Sequence, residues 1–279
     1  MIRVAALYRY PVKSLGGESL ARGEVAERGF VDDRRWMLVD RDGQFISQRR
    51  HHQLARFGAR LADSATLEVF PLRSDDAPFR ISNVRPVGEP DVEVTVWDDT
   101  FRAKSVSAPG LAEYLDLGDA RLVYMDHTVR RPVDPRYALG SETVSFADGY
   151  PYLITTTASL AALSDRLQRP VEMLRFRPNI VLEGTAAFDE DEWDRLRIGE
   201  QEFYLPKPCA RCVMVTLEPE TGEKDLMVLS ELARFRRRGN KTLFGMNAIS
   251  LPREQGTIGV GDTAEVLLRR QSEAVTKGD

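Results

Sequence analysis

Cys209 and Cys212, in the order Cys-Ala-Arg-Cys, are the two cysteines of the chain, and a thiolate is a natural ligand for a soft or high-valent metal. One of these sulfurs is therefore a candidate metal ligand. Histidine stands only at 51, 52 and 127, so few nitrogen ligands can complete a cage. A structural zinc site needs further Cys or His ligands, which here only His127 with one of the adjacent histidines offers. A thioredoxin-like redox pair would open a helix directly after a strand. Instead Val213, Val215 and Leu217 alternate after the pair and a Pro219-Glu-Thr-Gly222 turn follows, which predicts a loop between two strands. Two unreactive thiols buried in a barrel are the alternative that the local pattern leaves open.

Four short segments concentrate basic and small polar groups beside rigid turns. Lys13 and Ser14 follow a proline and precede Gly16-Gly17, an arrangement that can aim an ammonium, a hydroxyl and backbone N–H groups at one anion. Arg34 and Arg35 precede Trp36 and equally suit a solvated strand edge. In Arg175-Phe-Arg177-Pro-Asn179 an extended segment would put both guanidiniums on one side, ready for bidentate contact with a phosphate, or for surface pairs with Glu172 or Glu183. Arg211 lies between the cysteines, and Asp148 stands in the glycine-proline turn Phe146-Ala-Asp-Gly-Tyr-Pro, where aspartate is an ordinary turn former. His51-His52 reads as part of a solvated loop. Phosphate-loop, dinucleotide and Gly-x-Ser-x-Gly motifs do not occur.

The elements that must position these groups read as mainly β. Strands are expected at Arg3–Tyr10, Glu24–Val25, Trp36–Val39, Gln44–Ser47, Arg60–Val69 and Val92–Trp97, with Asp40-Arg-Asp-Gly43 as a hairpin turn. Arg73–Pro90 is polar, carries prolines and is expected as an exposed loop. Pro109–Gly118 predicts a short helix closed by glycine, and the domain seam is placed just after it, near residue 120. A helix capped by Thr157 sets Leu160, Leu163 and Leu167 on one face. Strands return at Asn179–Leu182, Arg197–Leu205 and Val213–Leu217, then a helix over Val228–Arg238, then a final strand pair within Gly256–Leu268. Two β-rich halves with few helices suggest barrels.

The 279 residues suffice for one large or two ordinary domains. Lys+Arg of 39 against Asp+Glu of 43 gives a net charge of −4, so no global field for nucleic acid exists and any anion must be caught by a local cluster. No apolar run approaches about eighteen residues, and the N-terminal run is too short for a secretory signal. A cytoplasmic protein with no membrane and no nucleic-acid partner is the expectation.

Tyr10-Pro-Val-Lys-Ser14, Asp33-Arg-Arg-Trp36, Phe146-Ala-Asp-Gly-Tyr-Pro151, Phe176-Arg-Pro-Asn-Ile180, Cys209-Ala-Arg-Cys212 with its Pro-Glu-Thr-Gly turn, Leu243-Phe-Gly245 and Gly256-Thr-Ile-Gly-Val-Gly-Asp262 run in order over nearly the whole chain. Together they resemble the two-domain proteins with a MOSC domain behind an N-terminal β-barrel partner. Within that group the chain is similar to bacterial relatives of the mitochondrial amidoxime-reducing component. The resemblance implies a MOSC N-terminal barrel over 1–120, a MOSC domain over 121–270 and a polar tail at 271–279. It implies a reductase of N-hydroxylated compounds (hydroxylamines, amidoximes, N-hydroxy nucleobases) that uses molybdenum cofactor, Mo-molybdopterin. Cys212 would bind the metal as a thiolate, with Cys209 as a neighbour outside the ligand set. Lys13, Ser14, Arg34, Arg177 and Arg211 would hold the pterin and its phosphate, with Asn179 close by and Asn247 also assigned to the cofactor. Asp148 matches a carboxylate beside the metal, where it would act as a catalytic proton relay. A pyridoxal phosphate association attaches to the family as a label only.

The chain departs from the family pattern in three places. Asn247 stands where the mitochondrial relatives have tyrosine, and Glu218 replaces an aspartate. No cysteines remain for an iron–sulfur cluster, so electrons are expected from a separate protein: a ferredoxin, a flavodoxin or a cytochrome b5-like protein with its reductase. The rival expectation is a carrier of molybdenum cofactor, or of sulfur on Cys212, without turnover of its own.

Overall fold

Trp36–Val39 is an apolar run of four buried residues, as a strand covered on both faces must be. In the computed structural model, which describes residues 1–251 and 256–270, it edges an antiparallel sheet in the order Trp36–Val39, Arg121–Tyr124, Asp99–Val106, Val92–Val96. A meander of Phe57–Leu61, Thr66–Pro71 and Phe79–Ser82 faces it. Trp36, Leu38, Leu67, Val69 and Ile81 pack between the two. Met37 and Val39, pointing the other way by strand alternation, join Val94, Val96 and Phe146.

The second β system closes on itself. Its seven strands run Tyr152–Thr156, Ile180–Glu183, Ile2–Arg9, Thr263–Arg269, Trp193–Ile198, Gln201–Tyr204 and Lys241–Ser250, and the last pairs back onto the first. Only Tyr152–Thr156 with Ile180–Glu183 is a parallel pair in this ring, and helix Thr157–Leu167 makes the crossover between them. Leu7, Ile154, Leu182, Leu196, Phe203 and Met246 fill the interior. The mainly β class expected from the sequence is the class observed. No helix among the described residues is long and apolar enough to cross a membrane.

Hydrogen bonding ignores any single cut in the chain. The first strand, Ile2–Arg9, lies in the second system between Ile180–Glu183 and Thr263–Arg269, whereas Arg121–Tyr124 pairs with Trp36–Val39 and Asp99–Val106 in the first.

Several local expectations are corrected. Gln44–Ser47 forms isolated bridges and no strand, because the Asp40 carboxylate accepts the Asp42 and Gln44 N–H groups and holds the chain in a turn. Arg60–Val69 is two strands around a turn in which Asp63 accepts the Ala65 N–H. Arg73–Pro90 contains the Phe79–Ser82 strand, with Ile81 and Val84 buried. The helix in Pro109–Gly118 is one turn, Leu111–Tyr114, ended by left-handed Asp116 before the glycine is reached. Thr156, not Thr157, caps the next helix by accepting the Ser159 N–H. The segment after the cysteines is a 3-10 turn, Val213–Thr216, tied by the Thr216 hydroxyl donating to the Val213 carbonyl, and Cys209 itself lies in a strand, Pro208–Arg211. Thr257–Gly259 and Thr263–Arg269 do not pair with each other; the first pairs with Arg22–Ala26 and the second with Ile2–Arg9 and Trp193–Ile198. The polar tail expected at 271–279 lies outside the described residues.

Candidate functional site

A cleft opens where the loops of the two β systems meet. Its empty space, solvent at the mouth included, is about 970 Å3. Lys13, Ser14 and Arg34 reach it from turns in the first part of the chain; Asp148, Arg177, Asn179, Arg211, Cys212 and Asn247 reach it from the second. All the candidate residues therefore line one space. Ser14, Arg34 and Arg177 have φ of 71°, 52° and 53°, the left-handed region that non-glycine residues rarely adopt and that concentrates at functional sites.

Each group is fixed by identifiable partners. Asn179 is 1% exposed and ties three segments together: its Oδ1 accepts from Arg34 Nη1 at 3.0 Å and from the Leu153 N–H at 3.3 Å, while its Nδ2 donates to the Tyr8 carbonyl at 3.2 Å. Arg34 also donates to the fully buried Asp33 at 2.5 Å and to the Arg177 carbonyl at 3.3 Å. The Tyr10 ring lies 4.7 Å from the Arg34 guanidinium and 4.4 Å from that of Arg177. Burial raises the Tyr10 phenol well above its ordinary pKa against the pull of those two cations. Burial also pushes the Arg177 guanidinium down to about 10, with Tyr10 opposing and Arg34 reinforcing, so it stays charged at neutral pH.

Lys13 is 7% exposed and donates to the Phe146 carbonyl at 2.8 Å and to Asp148 Oδ1 at 2.5 Å. Burial lowers its pKa and Asp148 opposes that shift. The Asp148 side chain remains 69% exposed at the mouth. Partial burial raises its carboxyl, but the Lys13 ammonium, then hydrogen bonds from Lys13 and Trp97, override this and hold it well below the usual carboxylate range.

Cys209 and Cys212 are free and half-buried, which departs from the reading of two buried inert thiols. Among the described residues no group of three or more His, Cys, Asp or Glu is placed to hold a metal, which removes the zinc reading. Arg211 donates to Cys209 Sγ at 3.0 Å and to the Phe176 carbonyl at 2.8 Å, and its Nε has no partner among the described residues. Asn247 donates to the Pro208 carbonyl at 3.4 Å, bracing the cysteine strand. The two arginines around Phe176 diverge. Arg175 pairs with Glu172 at 2.6 Å, the partner the ion-pair alternative names, but it is buried and not at the surface, and of the two only Arg177, turned by its left-handed backbone, enters this cleft.

A MOSC N-terminal beta barrel domain matches residues 1–115 and a MOSC domain matches residues 141–265. Mitochondrial amidoxime reducing component 2 of Rattus norvegicus is 32% identical over 78% of this chain and 68% of its own length. The chain belongs to the MOSC family. Mitochondrial amidoxime-reducing component 1 of Mus musculus is 28% identical over 95% of this chain and 82% of its own. Molybdenum cofactor sulfurase of Caenorhabditis briggsae is 29% identical over 87% of this chain and 33% of its own.

Two residues of this MOSC cleft escape sequence reasoning. Arg49 donates to Cys212 Sγ at 3.2 Å, and its guanidinium lies 4.2 Å from the Trp97 ring centroid. Trp97 Nε1 donates in turn to Asp148 at 3.2 Å, and its ring packs on Phe45 at 4.9 Å. Arg49 belongs to a basic run next to His51-His52 that reads as solvated, and Trp97 sits at a hairpin tip with φ of 58°. Only the meeting of distant loops gives either residue its place.

Proposed function

We propose that this MOSC chain is a molybdenum-cofactor-dependent reductase of N-hydroxylated compounds, supplied with electrons by a separate protein. The observation that carries the reading is electrostatic. Arg49, Arg177 and Arg211 line one cleft around the Cys212 thiol with no carboxylate paired to them among the described residues, and the Nε of Arg211 is buried without a partner. Unpaired guanidiniums in a partly desolvated cleft call for an anion, and forked donors suit a phosphate. A half-buried thiol among them suits a metal centre that takes one protein sulfur. The residues present thus fit a phosphate-bearing molybdenum pterin.

In this reading Cys212 ligates the metal, and Lys13, Ser14, Arg34, Arg177 and Arg211 hold the pterin and its phosphate, with Asn179 and Asn247 fixing the walls. The chemistry the group supplies when bound is two-electron reduction of an N–OH bond, which with two protons gives N–H and water. The chain's own contribution is positioning and proton handling. In this reading Asp148, exposed at the mouth, passes protons between solvent and a bound substrate, and since Lys13 and Trp97 keep it ionised in the free cleft, the substrate-bound state must loosen that pairing for it to do so. Phe45 and Trp97 pack on each other and line the cleft beside it.

Molybdenum per chain in protein from a cofactor-competent host, measured for wild type, Cys212→Ser and Cys209→Ser, is the direct test. Near-stoichiometric metal lost only in Cys212→Ser, together with reduction of a benzamidoxime probe by wild type, is expected. Metal absent from all three, with a persulfide on Cys212, would favour the carrier reading suggested by likeness to molybdenum cofactor sulfurase. In cofactor-loaded Asp148→Asn, turnover falls and its pH profile changes; an unchanged profile would remove Asp148 from proton transfer.

A further inference from the structure

Arg237, Arg238 and Lys241 form an exposed basic hairpin that the proposed site does not use. Arg237 pairs across the turn with Thr242 and Arg238 with Lys241. On its other edge Thr242 pairs with Arg211, so Arg211, Thr242 and Arg237 stand side by side across three strands on one face of the sheet. Arg211 is the residue that touches Cys209. The hairpin therefore continues the rim of the cleft. Lys207 extends the same positive edge: burial lowers its ammonium, Asp134 opposes, and Lys241 lowers it further.

Among the described residues little neutralises the hairpin. Arg237 donates its Nε to the Gly239 carbonyl at 2.9 Å, and neither it nor Lys241 has an ion-pair partner among the described residues. Arg238 comes only to 3.9 Å of Asp191, which Arg236 already holds at 2.6 Å. Helix Leu226–Arg236 leads from the hairpin, over about 16 Å, to an apolar end. There Leu226 and Met227 are 67% and 54% exposed, and Val213, directly after Cys212, is 55% exposed. The helix and the Val213–Thr216 turn share one core through Val215, Val228 and Leu232, and the Asp225 N–H donates to the Thr216 carbonyl at 2.6 Å, which sets the start of the helix beside the turn.

From this surface we infer a docking face for an acidic electron-donor protein, seated on Val213, Leu226 and Met227 and steered by Arg237, Arg238 and Lys241. The inference rests on the reading of the chain as a reductase fed by a separate donor. A solvated charge run would need neither the exposed apolar group nor the shared edge with the cysteine strand. Their combination, an apolar end and a basic end about 16 Å apart along one helix on a chain of net charge −4, suits a transient interface in which apolar contact holds the partner and charge steers it.

The test uses cofactor-loaded protein and three probes: an acidic plant-type ferredoxin, an acidic flavodoxin and a cytochrome b5 haem domain. Calorimetry at low salt is expected to show micromolar binding of at least one probe, weakened by added sodium chloride. Arg237→Glu with Lys241→Glu should weaken it about tenfold or more and raise KM for that donor in parallel, and the Arg237→Gln, Lys241→Gln pair should fall between. Turnover driven by reduced methyl viologen should be the same in all three proteins. Absence of binding by every probe, or binding and KM unmoved by the double charge reversal, overturns the docking face. Loss of viologen-driven reduction in wild type would instead count against the reductase reading, while the binding arm still reports on the face.

Discussion

Lys13 and Asp148 show how one ion pair serves both stability and the cleft. Lys13 is buried with Asp148 as its carboxylate, so Asp148→Asn leaves an ammonium held mainly by the Phe146 carbonyl. Because Asp148 is largely exposed and screened, the expected loss is modest, about 1–2 kcal/mol. Its folded pKa is depressed, so the pair's stabilisation is present above the unfolded carboxylate pKa and lost as pH falls below it toward the folded value. Melting curves should show wild type above Asp148→Asn at pH 7, with the gap shrinking below about pH 4. A gap independent of pH would mean that the pair contributes nothing through ionisation. At the same scale Arg49→Ala removes the guanidinium beside Cys212 and the support under Trp97. It should reduce molybdenum retention on dialysis without lowering the melting temperature of the cofactor-free chain.

At the scale of elements, the long strand Lys241–Ser250 carries the greatest demand. It pairs with Pro208–Arg211, Gln201–Tyr204 and Tyr152–Thr156, and so joins the cysteine strand to barrel closure. Gly245 makes this possible: its φ is 74°, and a Cβ there would stand 2.7 Å from Thr155 Cγ2 and 2.9 Å from the Ile154 carbonyl oxygen. Gly245→Ala is expected to cost about 1–3 kcal/mol and, by shifting Pro208–Arg211, to lower cofactor content; denaturant melts and metal analysis read the two effects separately.

That glycine also shows what a sequence can carry. Leu243-Phe-Gly245 is legible as a family motif, and the β class follows from alternation, but the reason for the glycine is a close approach between strands far apart in the chain. Alternation misleads at Val213–Leu217: a strand would put Val213, Val215 and Leu217 on one face, but Val213 is exposed, Val215, Thr216 and Leu217 are buried in a row, and the backbone over Val213–Thr216 is a 3-10 turn. The candidate residues themselves were accessible through motif likeness and charge logic. Arg49 and Trp97 were not, because a basic run and a hairpin tip look solvated until the opposite loop is in place.

For the whole molecule, the cleft is a meeting of two β systems whose facing loops supply five cations, Lys13, Arg34, Arg49, Arg177 and Arg211. Lys13 and Arg34 already have Asp148 and Asp33 as partners, but Arg49, Arg177 and Arg211 have no paired carboxylate among the described residues, so an anion bound there should stabilise the entire chain by linkage, about 1.4 kcal/mol at tenfold excess over Kd. Cofactor-free wild type should melt higher as inorganic phosphate is added, and Arg177→Ala with Arg211→Ala should lose most of that response. Equal responses would place the bound phosphate elsewhere.

The position of Ile2–Arg9 has a consequence for how such a chain is made. This strand is translated well ahead of two of its neighbours, Ile180–Glu183 and Thr263–Arg269. Apart from the local pairing of Leu7, Tyr8 and Arg9 with Glu18–Leu20, its edges must wait unpaired until those segments are made. Sealing of the barrel, beside the Tyr8 and Tyr10 backbone that anchors Asn179 and Asp33, thus waits until Thr263–Arg269 has been made. The cation-lined cleft reaches its final shape only once Thr263–Arg269 is in place, which in the proposed reading makes cofactor insertion a late step of assembly.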